Sequence, residues 1–87
     1  NALFYEEVSE ALFGYYADKY NINRADLSQE KIVETLAQDG LPELAEELKG
    51  SLEAAEMARF APSAAIAPAK LYEDAINLIQ KTENRNA

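Results

Sequence analysis

The sequence contains no cysteine and no histidine. Without cysteine the chain forms no disulfide bond, offers no thiolate to a metal ion and has no cysteine nucleophile. Without histidine, zinc sites and di-iron helical bundles lose their usual nitrogen ligand, and the serines lack a base to activate them. We therefore do not expect an enzyme, and we assign no catalytic, metal-binding or cofactor-binding residue.

Positive charge is also scarce. Sixteen acidic residues against eight basic ones give a formal net charge of −8, which repels phosphate backbones and anionic lipid headgroups. Nucleic acid is therefore not an expected partner. The glutamates cluster on predicted helix surfaces, and we interpret them as a solvated face because no segment has the spacing of a calcium-binding loop.

Long apolar runs are absent. No segment approaches the roughly 18 to 20 apolar residues needed to span a bilayer, so these residues are not expected to insert into a membrane. The sequence begins with Asn1-Ala2 and without an initiating Met. This start indicates a fragment of a longer protein, with the first two residues a cloning remnant and any targeting signal in the missing neighbours.

The residues that are present favour helices. The chain has 87 residues, 48% of them hydrophobic and 28% charged, a balance typical of one small folded domain. Apolar residues recur at three- and four-residue spacing, and almost no segment alternates as a strand would. We predict a single all-α domain over residues 1–87, a small antiparallel four-helix bundle or a related compact helical domain, with helices at 3–20, 28–39, 42–60 and 68–83.

Local signals mark the ends of these helices. Ser28 is the expected amino-terminal cap of the second helix, and Gly40 is the residue expected to take the left-handed conformation that closes it. Pro42 and Pro68 suit the first turns of the third and fourth helices, where the missing amide of proline costs nothing. Pro62 disfavours helical geometry at the residue before it, so the third helix should end near residue 60.

Arg59 interrupts the apolar stripe of the third helix, which consists of Leu44, Leu48, Leu52 and Ala55. A guanidinium partly removed from water needs a carboxylate to offset its desolvation. The candidate partners are Glu56, Asp18 and Asp74, of which we favour Asp18. The preferred hypothesis is a structural clasp that ties the end of this helix to a neighbouring helix and is made of Arg59, Asp18, Phe60 and Pro62. The alternative is that Arg59 binds an anion or a protein partner.

The first helix has an unusually wide apolar arc. Its predicted buried stripe consists of Phe4, Val8, Ala11, Leu12 and Tyr15. Phe13, Tyr16 and Tyr20 lie on a different part of the helix circumference from that stripe. Either the helix is central and packs on several neighbours, or these three residues form an exposed aromatic docking patch for a protein partner. Gly14 lies beside them and predicts a close approach of another backbone.

The order of five segments resembles a known family. The segments are Phe4-Tyr5-Glu6, FGYYADKYNI (13–22), LSQEKI (27–32), EMARFAP (56–62) and LYEDAINLI (71–79). Together they resemble the carboxyl-terminal helical domain of the BatD family of bacterial Bat aerotolerance (oxygen tolerance) proteins, over about residues 3–83. The family pattern includes Asp18, Arg59, Phe60 and Pro62, the residues of the predicted clasp.

The resemblance implies a membrane-attached, exported parent protein. Such a protein has a signal peptide, a large β-rich region outside the cytoplasmic membrane, a transmembrane helix and a small helical domain on the cytoplasmic side. Relatives are encoded with von Willebrand factor A domain proteins and a MoxR-type ATPase, which the resemblance makes the expected partners in an assembly that supports survival under oxygen or other stress. The family supplies no catalytic residue for this chain.

The expected function is therefore a noncatalytic protein-interaction domain in such an assembly. The acidic surface favours a partner with a basic face and faster association at low salt. Two alternatives stay open. One is a bundle that binds a small ligand or a metal in a tyrosine-lined cavity closed near Arg59, and the other is a structural, membrane-proximal spacer.

Overall fold

Four helices make up most of the chain in the computed structural model, which describes residues 2–61 and 67–84. They are α1 (Ala2–Tyr20), α2 (Gln29–Gln38), α3 (Pro42–Phe60) and α4 (Pro68–Asn84), with a short 3₁₀ helix at Arg24–Asp26 between the first two. The described residues contain no strand. The predicted all-α helical bundle is confirmed, and every helix boundary lies within one residue of its predicted position.

The predicted start and stop signals act as expected. The Ser28 side chain accepts a hydrogen bond from the backbone amide three residues later, at 3.1 Å, and so caps α2. Pro42 and Pro68 are the first residues of α3 and α4. α3 ends at Phe60 as predicted, whereas Pro62, which was assigned to the clasp, lies outside the described residues.

α2 is followed by a residue in the left-handed conformation. The amides of that residue and of the next one donate hydrogen bonds to carbonyls in the last turns of the helix. Gly40 has a φ of 82°. Its amide donates to the Ala37 carbonyl at 3.2 Å, and the amide of Leu41 donates to the Leu36 carbonyl at 3.0 Å. These bonds satisfy carbonyls that the last helical turn leaves free. Asn21, with a φ of 53°, closes α1 in the same way.

One hydrophobic core joins the four helices. Its buried side chains are Tyr5, Val8, Leu12, Tyr16, Ile32, Leu36, Leu44, Ala45, Leu48, Leu52, Ala55, Ala58, Leu71, Ala75 and Leu78. The predicted stripe of α3 is confirmed, but the buried face of α1 is rotated from its predicted stripe. Tyr5 and Tyr16 are buried there, whereas Phe4 and Tyr15 are only partly buried and Ala11 is exposed.

The carboxyl ends of α1 and α2 lie close together. Tyr20, the last residue of α1, donates a hydrogen bond to Asp39, immediately after α2, at 2.9 Å. α2 has 10 residues, against 19, 19 and 17 in α1, α3 and α4. α3 then runs antiparallel to α4, because Lys81 near the end of α4 contacts Glu47 near the start of α3 at 3.2 Å.

α1 and α4 run in the same direction. Tyr16 contacts Thr82 near the carboxyl ends of the two helices, at 2.8 Å. Near the amino ends, Phe4 and Tyr72 line one groove. The bundle therefore consists of three long helices, with α1 and α4 parallel to each other and antiparallel to α3, and of the short α2. Among the helices described here, none is both long and apolar enough to cross a membrane.

Candidate functional site

The aromatic patch predicted on α1 does not form. Tyr16 has 0% of its surface exposed, so the prediction that it lies on a docking surface is wrong. Phe13 and Tyr20 are partly buried and pack against the core. The physical reason is that α1 contacts α2, α3 and α4, so its wide apolar arc is divided among several neighbours. This outcome confirms the other interpretation, that α1 is a central helix.

Gly14 does not mark a close backbone approach. A Cβ atom placed on Gly14 would meet no atom within 4 Å outside its local helix, and the residue is exposed. The prediction that another backbone contacts α1 here is therefore wrong. The physical reason is that Gly14 lies on the solvent side of the helix, where no neighbour requires a small residue.

The predicted clasp is also wrong. Arg59 is exposed, and within residues 2–61 and 67–84 it forms no ion pair with Asp18 or any other carboxylate. Its guanidinium instead lies over the ring of Phe60, 5.6 Å from the ring centroid, and that ring is 75% exposed. The physical reason is that the buried stripe of α3 continues from Ala55 to Ala58 by a step of three residues, which leaves Arg59 outside the stripe.

A buried hydrogen-bond chain connects α1 to α4. The hydroxyl of Thr82 donates to the Leu78 carbonyl at 2.8 Å and contacts the hydroxyl of Tyr16 at 2.8 Å. Because the Thr82 hydrogen is directed to Leu78, Tyr16 must be the donor to Thr82. Burial raises the pKa of Tyr16, and this effect outweighs the hydrogen bond with Thr82, which lowers it; the charge of Glu47 adds to the increase. The neutral phenol is therefore the form that this core accommodates.

A polar cluster joins the same two helices at their carboxyl ends. The Tyr15 hydroxyl donates a hydrogen bond to Glu83, and the Lys19 ammonium group contacts the same carboxylate oxygen at 3.1 Å. The hydrogen bond from Tyr15 and, after it, that from Lys19 lower the pKa of Glu83. Burial and the Glu83 carboxylate raise the pKa of Tyr15. The cluster ties the carboxyl ends of α1 and α4 together.

An apolar groove lies between α1 and α4 and is our candidate functional site. It is lined by Phe4, Glu7, Val8, Ala11, Leu12, Tyr72, Ala75, Ile76 and Ile79, all apolar apart from Glu7. We call it the α1–α4 groove. Tyr72 is 56% exposed and Ile76 is 37% exposed, so large apolar side chains in the groove are in contact with solvent.

Several exposed apolar side chains lie near one end of the described part of the molecule. The large hydrophobic side chains that are exposed in the described residues are Leu3, Met57, Phe60, Tyr72 and Ile76. Because α3 is antiparallel to α1 and α4, the start of α1, the end of α3 and the start of α4 lie at the same end of the bundle. Leu3, Met57, Phe60 and Tyr72 therefore lie near that end, and Ile76 lies in the middle of α4.

The edges of the groove carry negative charge. Glu7 lines the groove, and Glu10 is exposed three residues later on the same side of α1. Glu73 is exposed on α4, three residues before Ile76. Among the described residues these three glutamates form no ion pair.

The lysines of α1 and α4 contact other carboxylates. Lys19 contacts Glu83 at 3.1 Å, Lys70 contacts Asp74 at 2.9 Å and Lys81 contacts Glu47 at 3.2 Å. None of these lysines forms an ion pair with Glu7, Glu10 or Glu73. The hydrogen bond and charge of Asp74 and, after them, the charge of Glu73 raise the pKa of Lys70, so Lys70 partly offsets the charge of Glu73.

A second, more polar cleft lies between α3 and α4, and Glu47, Gly50, Ser51, Asp74 and Lys81 are among its lining residues. The ion pair of Lys81 with Glu47 crosses it. The parts of the chain that the structure describes contain no group of three side chains able to hold a metal ion. Neither the cleft nor the groove is lined by Arg59.

The chain matches no family model, no curated protein and no solved structure in three comparisons.

The periodicity did not identify the groove. Phe4 was predicted to lie on the buried stripe of α1, whereas it is partly buried and lines the groove. The signal that indicates the groove is the width of the apolar arc on α4, where apolar pairs follow one another at 71–72, 75–76 and 78–79. The first residue of each pair is buried in the core. The second is exposed or partly buried and lines the groove.

Proposed function

We propose that this domain is a noncatalytic protein-interaction module whose binding site is the α1–α4 groove. The observation that carries the proposal is the exposure of Tyr72 and Ile76 in a groove whose lining is apolar apart from Glu7. Exposed apolar patches with a polar rim are typical of protein-interaction sites. In this proposal the groove, and not the aromatic patch predicted on α1, supplies the apolar centre of the binding interface.

The resemblance to the BatD aerotolerance family supports a particular setting for the module. In this proposal the parent protein is anchored in the bacterial cytoplasmic membrane, and the domain lies on the cytoplasmic side. Its partners are the von Willebrand A-domain Bat proteins and the MoxR-type ATPase, and the assembly supports survival under oxygen or other stress. The net charge of −8 supports a protein partner with a basic face over nucleic acid.

The test is direct binding of the purified von Willebrand A-domain protein encoded beside the parent gene, measured by calorimetry and by crosslinking. The groove variant is Ile76→Asp. The matched control is Met57→Asp, because Met57 is 57% exposed and does not line the groove. Since both positions are exposed, we expect both variants to keep the helical circular dichroism of the parent domain.

We expect the parent domain and Met57→Asp to bind the partner. Ile76→Asp should bind at least about tenfold more weakly, because one apolar contact is removed and the new charge is desolvated in the complex. Equal binding by all three would place the interaction elsewhere on the surface. If the parent domain bound neither this protein nor the ATPase, the module proposal would fail and a spacer role would be favoured.

A further inference from the structure

We propose that the occupant of the α1–α4 groove is an amphipathic helix of a partner protein, with lysine or arginine on both sides of its apolar face. This inference rests on the function proposed above and specifies the chemistry of the partner. It follows from three properties of the described residues: the shape of the groove, the charge at its edges and the absence of a sheet edge.

The shape of the groove suits a helix. The apolar side chains of α1 and α4 along it follow steps of three and four residues: Phe4, Val8 and Ala11 on one side, and Tyr72, Ile76 and Ile79 on the other. On each helix the first and last of these residues are seven positions apart, a distance of about 10 Å or two helical turns. A helix laid between two helices presents its own side chains at the same spacing.

The ends of the groove restrict how the occupant lies. Glu83 contacts Tyr15 and Lys19 across α1 and α4 beyond the last lining residues, so the groove is bounded there. From that end the lining residues extend to Phe4 and Tyr72. About two to three turns of a partner helix are therefore accommodated, with apolar anchors at positions i, i+3 or i+4 and i+7.

An extended peptide is a poorer occupant. Peptides that bind as strands form backbone hydrogen bonds with an exposed sheet edge. No strand occurs in the described residues, and the groove offers side chains of two helices, whose backbone groups are already paired within each helix. A helix pairs its own backbone groups and leaves only side chains to be matched.

The charge at the edges selects a basic helix. Glu7 lines the groove, and Glu10 and Glu73 are exposed on the same two helices. None of the three forms an ion pair among the described residues. Lysine or arginine on both flanks of the partner helix complements these carboxylates and increases the association rate, whereas an acidic helix is repelled.

A second copy of this chain is disfavoured as the occupant for the same reason. Its exposed helix surfaces carry the same glutamates, and the chain has a net charge of −8. Anionic lipid headgroups are disfavoured by this charge as well. A partner protein with a basic amphipathic helix is the one class that satisfies both the apolar lining and the acidic edges.

The experiment uses three labelled peptides of about 15 residues, the length that covers the groove with one turn at each end. The first has leucine at i, i+3, i+4 and i+7 with lysine on both flanks. The second keeps the leucines and replaces each lysine by glutamate, and the third is a scramble of the first. Fluorescence anisotropy measures affinity, and amide chemical shifts of the domain locate the binding site.

We expect the lysine peptide to bind in the groove, with shifts at Val8, Ala11 and Ile76, and to bind at least about tenfold more tightly than the glutamate peptide or the scramble. Its affinity should fall as sodium chloride is added, because salt screens exposed charges. The double variant Glu7→Gln/Glu73→Gln should weaken binding severalfold and reduce the salt dependence. The matched control Glu43→Gln/Glu53→Gln, on α3, should do neither.

Several results would overturn the inference. Equal binding of the lysine and glutamate peptides in the groove would remove the charge argument, and shifts confined to another surface would remove the site. A dimer of the domain in sedimentation experiments, abolished by Ile76→Asp, would show that a second copy occupies the groove. If the von Willebrand A-domain protein bound through the groove while the lysine peptide did not, this inference would fail and the function proposed above would stand. Loss of both would overturn both.

Discussion

Gly50 and Gly40 show how the same residue type has opposite effects at two positions. Gly50 lies inside α3, is exposed, and has space for a Cβ atom with no atom within 4 Å outside its local helix. Gly40 has a φ of 82°, a conformation that side chains with a Cβ atom rarely adopt. Glycine therefore weakens the chain at the first position and is required at the second.

We predict that Gly50→Ala raises the free energy of unfolding by about 0.5 to 1 kcal/mol, because alanine lowers the entropy of the unfolded chain and favours the helix. Gly40→Ala is the contrasting control and should lower the free energy of unfolding by about 1 to 2 kcal/mol. Urea unfolding followed by circular dichroism measures both. A loss of stability in Gly50→Ala would mean that the position has a contact not seen in the structure.

The buried hydroxyl of Tyr16 gives a second prediction at the scale of the residue. Tyr16→Phe removes the hydrogen bond to Thr82 but leaves the Thr82 hydroxyl bonded to the Leu78 carbonyl. No buried donor is left without a partner by this change, so we expect a loss of only about 0.5 to 1.5 kcal/mol at neutral pH. Urea unfolding at pH 7 checks this value.

The pH dependence of the same variant follows from the raised pKa of Tyr16. Below the ordinary tyrosine pKa of 10.0 both the folded and unfolded forms are protonated, and the stability is fully present. As pH rises above that value, the unfolded chain loses its proton first, so stability is lost as pH approaches the higher folded pKa. Tyr16→Phe should reduce this alkaline loss, and Tyr15 should account for part of what remains. An unchanged alkaline slope would contradict the prediction.

At the scale of the element, the helix ends were predictable and the buried faces were less so. Ser28, Gly40 and Pro42 act through the backbone of their own or the next turn, so the sequence around them is sufficient. Which face of a helix is buried depends on where its neighbours lie. Arg59 was wrongly placed for this reason, since the stripe of α3 changes its step at Ala58.

The candidate site shows the same limit. The apolar pairs in α4 were visible in the sequence, but the sequence does not show which member of each pair faces α3. Leu71 is buried and Tyr72 is exposed, and that choice depends on the parallel arrangement of α1 and α4. A parallel pair of helices separated by two others in the chain is a property of the tertiary fold, which no local signal specifies.

The cluster at the carboxyl ends of α1 and α4 gives a prediction about acid. Hydrogen bonds from Tyr15 and Lys19 lower the pKa of Glu83 from its ordinary 4.5. The stability that the carboxylate contributes is present above that ordinary value and is lost as pH falls through the lower folded pKa. Thermal unfolding of the parent domain should therefore become more sensitive to pH below about 4.5 than that of Glu83→Gln.

The control for this acid prediction is Glu53→Gln, because Glu53 is exposed and forms no ion pair among the described residues. Its stability should follow the pH dependence of the parent domain. If Glu83→Gln and Glu53→Gln gave the same profile, the contacts of Glu83 with Tyr15 and Lys19 would contribute nothing in solution.

At the scale of the whole molecule, we expect charge repulsion to outweigh the exposed ion pairs. The net charge is −8, from sixteen acidic and eight basic residues. The ion pairs of Lys19, Lys70 and Lys81 all include at least one well-exposed side chain, and pairs of this kind typically contribute about 0 to 1 kcal/mol each. Salt screens both the repulsion between like charges and the attraction within the ion pairs. Because negative charges are in excess, we expect the reduced repulsion to be the larger effect on stability.

We therefore predict that sodium chloride raises the melting temperature of the domain over the range from about 0.02 to 0.3 M, in which the Debye length falls from roughly 20 to 6 Å. The control is the triple variant Glu6→Gln/Glu46→Gln/Glu53→Gln, which removes three negative charges without breaking a described ion pair. It should melt higher than the parent domain at low salt and gain less from added salt, because less repulsion is left to screen. A melting temperature that falls with salt in the parent domain would show that the lysine ion pairs dominate, and the acidic edges of the α1–α4 groove would then be weaker attractors of a basic helix than their charge indicates.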